Sequence, residues 1–251
     1  MNEELTSFFS HLADLRKRLI YSLLFLFLGF VACYGFHKQL FHIVALPLLN
    51  IAPKQYPNVF AFHTLSEPFF TYLRLSFYVG IFVASPFVLH QVWLFISPAL
   101  YKEEKKYAVP FILFSTLLFL AGGYFGYTIG LKYMISFFLQ EAKGLVPVLT
   151  MDKYISLTTT VILGMGLVFE TPILILFLAL MGLVDHVFLL KKFKYAIVII
   201  FIIAAVITPS GDPVTQTVFA LPMLILYLLG VLVAYVFGRD RNESDELGKV
   251  E

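Results

Sequence analysis

Charge is scarce in this chain. Of 251 residues, 14% are Asp, Glu, Lys or Arg and 60% are hydrophobic. Cysteine occurs once, at Cys33, which excludes an intrachain disulfide; its place inside an apolar run reads as a buried thiol rather than a lipidation site. The net charge is +2 and no basic block exceeds three residues, which gives no footing to nucleic-acid binding. A Walker A loop and a G-x-S-x-G elbow are missing, and the six histidines are scattered without metal-ligand spacing. Nucleotide hydrolysis, serine catalysis and a metal or other cofactor therefore have no support, and the chain reads as a non-enzyme. The first apolar run has no small-x-small exit, so it reads as a retained span and not a cleaved signal peptide.

What the chain does have is long apolar runs, the mark of a polytopic membrane protein. Residues 1–18 form an amphipathic helix, with Phe8, Leu12, Leu15 and Leu19 at helical spacing, that leads directly into a span at 19–36. At 1.5 Å per residue this span covers about 27 Å. Residues 39–74 read as an ordered cap lying on the membrane, with a short helix ending near Pro47. Ser66-Glu67-Pro68 starts the second span, which should run to about residue 97, with a kink at Pro86. Residues 102–106 make a charged hairpin. The third span is 107–131, and its Gly122, Gly123, Gly126 and Gly130 suit close helix packing.

Residues 132–153 read as a second amphipathic surface segment. The fourth apolar run, 154–184, would reach about 46 Å, so Pro172 should bend it. Residues 185–194 read as a short basic loop. The fifth run, 195–208, covers only about 21 Å, and a turn at 209–213 leads to a sixth at 214–237, so spans five and six read as a short hairpin. Residues 1–237 thus form a single six-span, all-α membrane domain, and 238–251 a charged, disordered tail. Both ends, the 102–106 hairpin and the 185–194 loop carry twelve of the eighteen Lys and Arg residues, which puts both termini in the cytoplasm.

One acid stands out. Glu170 is the single carboxylate in a long apolar run. A carboxylate near mid-bilayer costs roughly 2.5–3.5 kcal/mol, so this one should face protein or trapped water. It is either a functional group, for instance the carrier of a proton-coupled secondary transporter, or a protonated packing contact between helices. No internal repeat accompanies it, which weakens the transporter reading. On the cytoplasmic side stand Asp14, Glu103 and Glu104. They are either solvated charges balanced by neighbouring lysines or a clamp for guanidinium groups, which pair with carboxylates bidentately.

Four segments resemble one known family. His11-Leu12-Ala13-Asp14-Leu15-Arg16-Lys17-Arg18-Leu19 is similar to the pattern H-L-x-E-L-R-x-R-L of the TatC family. Residues 91–104, from Gln91-Val92-Trp93 through Pro98 and Tyr101 to Glu104, resemble its Q-V-W-x-F-x-x-P-x-L-Y-x-x-E. Phe169-Glu170-Thr171-Pro172 resembles F-E-x-P, and the Thr208–Asp212 stretch resembles T-P-x-D with Gly211 added. Asp14 stands where the family usually has Glu.

The resemblance implies a curved bundle in the bacterial inner membrane that receives twin-arginine signal peptides of folded precursors. It implies TatB-like and TatA-like single-span partners, a multi-copy complex in the lipid bilayer, and transport driven by the proton-motive force. Carried over by position, Asp14, Arg16, Phe95, Glu103 and Glu104 would bind the signal peptide. Thr208 and Gln216 would dock a partner helix, with Glu170 on the concave membrane face. Pro47 and Asp212 would belong to functional loops.

Overall fold

The computed structural model describes residues 2–51, 60–96, 108–142, 149–208 and 212–237. In chain order the elements are α1 (Asn2–Tyr34), α2 (His37–Ile51), β1 (Phe60–Ala61), α3 (Glu67–Ile96) and α4 (Ala108–Phe125). A π-helical turn (Gly126–Gly130), α5 (Leu131–Glu141), β2 (Leu149–Thr150), α6 (Met151–Phe169) and α7 (Thr171–Leu180) follow, then α8 (His186–Lys191), α9 (Phe193–Ile207) and α10 (Pro213–Phe237). Among the described residues five helical stretches are long and apolar enough to cross a membrane: Leu12–Tyr34, Glu67–Phe95, Pro110–Glu141, Met151–Leu180 and Pro213–Phe237. α9 is a shorter apolar helix of 15 residues, about 22 Å long.

Large apolar side chains cover the outside: Phe27, Phe114, Val206 and Ile225 are each at least 60% exposed. Each would be disfavoured by about 1.5–3 kcal/mol in water relative to burial, a cost that lipid removes.

The chain divides into two compact units, Met1–Ile43 with Pro68–Leu117 and Val44–Glu67 with Leu118–Glu251. In the first, α1 and α3 meet backbone to backbone. A Cβ built on Gly80 would stand 2.8 Å from the Phe30 nitrogen, and one on Gly29 would stand 2.7 Å from the Gly80 carbonyl oxygen. Phe25 stacks on Phe87 at 5.0 Å and Trp93 packs on Phe111 at 4.4 Å. Cys33 is buried, as its apolar surroundings imply.

In the second unit α6 is the central helix. Gly122 touches it so closely that a Cβ would meet the Met165 carbonyl oxygen at 2.4 Å, and Gly126 approaches the Val161 carbonyl at 3.1 Å. Gly130 sits on the ring of Phe219 of α10. Packing is therefore the reason for these glycines. α7, α8 and α10 share a core of Ile175, Ala179, Leu189, Val231 and Ala234. Gly182, at φ +70°, closes α7 with an N–H to the Ala179 carbonyl, a left-handed cap that a side chain would strain.

Several expectations change. α2 does not end near Pro47 but runs through it to Ile51, because Val44, Ala45 and Leu48 are buried around it and outweigh one lost backbone bond. Residues 132–141 are not a separate surface segment: a π-turn carries the third span into α5, which buries Leu131, Met134 and Ile135. The stretch 185–194 is not a loop; Asp185 caps α8 by accepting from the Phe188 N–H. The sixth apolar run is not short, since α10 has 25 residues, about 37 Å, whereas the fifth run, α9, is short.

The fourth run breaks where Pro172 implied, into α6 and α7 around Glu170. α3, in contrast, continues through Pro86. The two prolines share a device. Proline has no N–H to offer the carbonyl four residues back. In α3 that carbonyl, on Phe82, accepts instead from Ser85 Oγ at 2.7 Å. At the α6–α7 break the Val168 carbonyl accepts from Thr171 Oγ1 at 2.6 Å.

Adding a methyl where two backbones touch should overpack the contact by about 1–3 kcal/mol. Gly122→Ala and Gly80→Ala are expected to lower the thermal midpoint in detergent by several degrees. Gly35→Ala is the control, because its new Cβ meets nothing closer than 3.5 Å. A Gly122→Ala protein that melts with the wild type would show that α4 and α6 are not in backbone contact.

Candidate functional site

The amino-terminal acids and bases sit where α1 leaves the apolar zone. Asp14 and Arg16 are both exposed. Asp14 and Arg18 lie four residues apart and so share one helix face. Arg18 Nη1 donates to Gln91 Oε1 at 3.5 Å, a long hydrogen bond that joins α1 to α3 at one level. Gln91 is itself buried. From that level α1 runs back one turn to Asp14 and α3 runs forward one turn to Phe95, which is half-buried. Asp14 and Phe95 therefore come to the same end of the first unit. Glu103 and Glu104 lie outside the described residues.

Glu170 belongs to the second unit and is 8% exposed. It ends α6 and begins α7, with its N–H on the carbonyls of Leu167 and Val168. Phe169 packs on Phe125 at 5.7 Å, and Pro172 is fully buried. The carboxyl thus faces protein rather than lipid, as its cost at this depth demands.

Thr208 ends α9, and Asp212 and Gln216 lie at the start of α10. Thr208 is 2% exposed, and its hydroxyl donates to the Ala204 carbonyl at 2.8 Å. Asp212 caps α10: Oδ1 accepts from the Thr215 N–H at 2.7 Å and Oδ2 from the Thr215 hydroxyl. Gln216 Nε2 reaches across to the Phe201 carbonyl at 2.7 Å. These polar groups hold the hairpin's own backbone.

At the other end of α6 the structure gathers residues that sequence reasoning passed over. β1 and β2 pair in parallel, Phe60 with Leu149 and Ala61 with Thr150. Glu67 reads in sequence as a first-turn acid and no more. In the fold its Oε2 accepts from the His63 N–H at 2.7 Å and its Oε1 from the Asp152 N–H at 3.3 Å. Tyr154 donates its hydroxyl to the Val44 carbonyl at 2.8 Å, next to buried Pro47. One carboxylate and one phenol thus tie together segments 85 and 110 residues apart. No local pattern could have announced either contact.

The model of the family described as Sec-independent protein translocase protein (TatC) matches residues 10–222. A protein of that name from Koribacter versatilis (strain Ellin345) is 41% identical over 245 residues, spanning 96% of this chain and 90% of the relative. One from Desulforapulum autotrophicum is 39% identical over 245 residues, 97% of this chain and 90% of the relative. A crystal structure described as the twin arginine translocase receptor TatC is 37% identical, with a TM-score of 0.77, covering 89% of this chain and 97% of that one. A second, in the detergent DDM, gives 0.79 at the same identity, covering 89% and 99%.

Removing the cap on α10 tests the hairpin. Asp212→Ala should cost about 1 kcal/mol, the usual worth of an N-cap, and Asp212→Asn much less. Both are read from thermal unfolding in detergent. Equal losses in the two variants would mean that the Asp212 charge, and not its capping geometry, is what matters.

Proposed function

This chain belongs to the TatC family of Sec-independent protein translocase proteins, and we propose that within that system it is the receptor for twin-arginine signal peptides of folded precursors. The family is one of protein transport, so the chain is a translocase component and not an enzyme. The observation that carries the receptor reading is the match, across nearly the whole chain, to a structure described as a twin arginine translocase receptor.

Chemistry supports the same reading. A peptide with paired arginines needs carboxylates that reach both guanidinium groups, and bidentate Arg–carboxylate pairs are stronger and more directional than those made by lysine. Asp14, exposed on α1, supplies one such group. Glu104, with Glu103 beside it, supplies the second from the connection after α3. Arg16 and Phe95 border this end, Arg16 as a cation that offsets the mutual repulsion of the acids and Phe95 as apolar surface for the peptide.

In this reading residues 1–237 form one membrane domain of six spans, α9 being the short fifth, and 238–251 a tail. Both termini lie in the cytoplasm of a bacterial cell, consistent with the excess of Lys and Arg on that side. TatB-like and TatA-like single-span partners dock along the α9–α10 hairpin near Thr208 and Gln216. The ordered segments around Pro47 and Glu67 face the opposite compartment. Glu170 serves assembly or transport, not peptide recognition. The proton-motive force drives transport in a multi-copy complex. A proton-coupled solute transporter built on Glu170 has no observation in its favour beyond that single buried acid.

Crosslinking the chain to matched Arg-Arg and Lys-Lys versions of one signal peptide tests the receptor reading. The Arg-Arg peptide is expected to label strongly and the Lys-Lys peptide weakly. Glu103→Ala with Glu104→Ala should weaken binding by roughly tenfold to a hundredfold, the range for losing a charged hydrogen-bond pair. Equal labelling by both peptides, or unchanged affinity in the double variant, would remove the assigned site.

A further inference from the structure

A cavity of about 360 Å3 opens on the second unit between α5 and the start of α10. One wall is polar: Lys132, Ser136 and Gln140 stand at i, i+4 and i+8 on α5. The facing wall is the first turn and a half of α10, with Val214, Thr215 and Val218, and Phe137 adds apolar surface beside the polar row. From the geometry we propose that this groove binds a phospholipid with a net anionic headgroup, the phosphate at Lys132 and the upper acyl chain against Phe137, Val214 and Val218.

The groove is a built feature of the fold. The π-turn Gly126–Gly130 carries one residue more than an α-turn, which rotates everything after it by about 100°. Its last residue, Gly130, seats on Phe219, one turn below Thr215, so the groove begins directly beyond that contact. Leu131 and Met134 are then wholly buried. With those two positions inside, the 132/136/140 row is committed to the side that lines the cavity. In an uninterrupted α-helix the same residues would point elsewhere.

Charge selects the occupant. Lys132 is exposed, lies within the apolar stretch Pro110–Glu141, and among the described residues makes no ion pair. The carboxylate on the facing side, Asp212, already accepts from the Thr215 N–H and hydroxyl. Among the described residues that line the groove there are thus a cation and neutral donors for a phosphate but no carboxylate for an ethanolamine. Its mixed walls suit a ligand with a polar head and an apolar body, and its volume is that of a small-molecule site. The site is separate from the peptide-binding residues, so this inference does not depend on the receptor reading.

The test is native mass spectrometry of the whole detergent-purified protein, titrated with phosphatidylglycerol or phosphatidylethanolamine. The wild type should retain phosphatidylglycerol about fivefold better, the weight of one cation near an anionic lipid surface. Lys132→Gln should erase that preference, Lys132→Arg should keep it, and Lys38→Gln, on α2 in the first unit, should leave it unchanged. Millimolar inorganic phosphate should not displace the lipid, which separates a lipid site from a site for free phosphate. Equal retention of the two lipids by the wild type would overturn the proposal, as would a preference that survives Lys132→Gln. Efficient crosslinking between copies through Gln140→Cys in a bilayer, insensitive to phosphatidylglycerol, would assign the groove to a second copy instead and also overturn it.

Discussion

Hydrocarbon offers no partner to a backbone N–H or C=O, and the apolar helices of this protein are arranged around that constraint. A proline inside a span removes one donor and leaves one carbonyl to be served from elsewhere. At Pro86 and Pro172 the residue immediately before the proline is a Ser or Thr whose hydroxyl supplies the missing hydrogen. The two sites use the repair differently. α3 passes through Pro86 without a break, whereas at Pro172 the chain ends one helix and starts another. Glu170 stands at that second site, and the break lets its backbone serve as the end of α6 and the beginning of α7. A costly carboxyl is thereby set at a place where the helix is already interrupted and the side chain is enclosed by protein.

Packing follows from the same absence of water. Between helices in lipid there is little hydrophobic drive, so close approach and dispersion contacts hold them. Gly29 with Gly80 in the first unit, and Gly122 and Gly126 against α6 in the second, bring backbones to distances that any side chain would prevent. Bulky residues are left to face outward into lipid. The short helix α9 is held by a polar device at one end: Gln216 bonds to the Phe201 carbonyl, and Asp212 caps the helix that follows.

The two units use different chemistry. Exposed Asp14 and Arg16, with Gln91 and Phe95 near by, leave one end of the first unit charged and open. In the second unit, around β1 and β2, a carboxylate and a phenol are bonded to backbone. Glu67 accepts two backbone N–H groups and Tyr154 holds the Val44 carbonyl, so extended segments become ordered without a large core of their own. Carboxylates that are exposed remain available to bind arginine, whereas carboxylates already bonded to backbone serve structure.

Much of this was legible in the chain itself. Apolar run length sets where long helices form, because hydrocarbon thickness is a fixed ruler; the five long apolar helices among the described residues, the short α9, the break beside Glu170 and the packing role of the glycines follow from local composition. The extent of α2 past Pro47, the helix at 186–191 and the carriage of span three into α5 did not, because tertiary burial and capping overrode local signals. The acids proposed to bind the peptide are named by motif alone. What only the tertiary structure decided are contacts between residues far apart in sequence and the rotation of a helix face: Glu67 with Asp152, Tyr154 with Val44, and the turn that aims Lys132, Ser136 and Gln140 at α10. A sequence period fixes which residues share a face, but the direction of that face depends on where the neighbouring helix lies and on one extra residue in a π-turn.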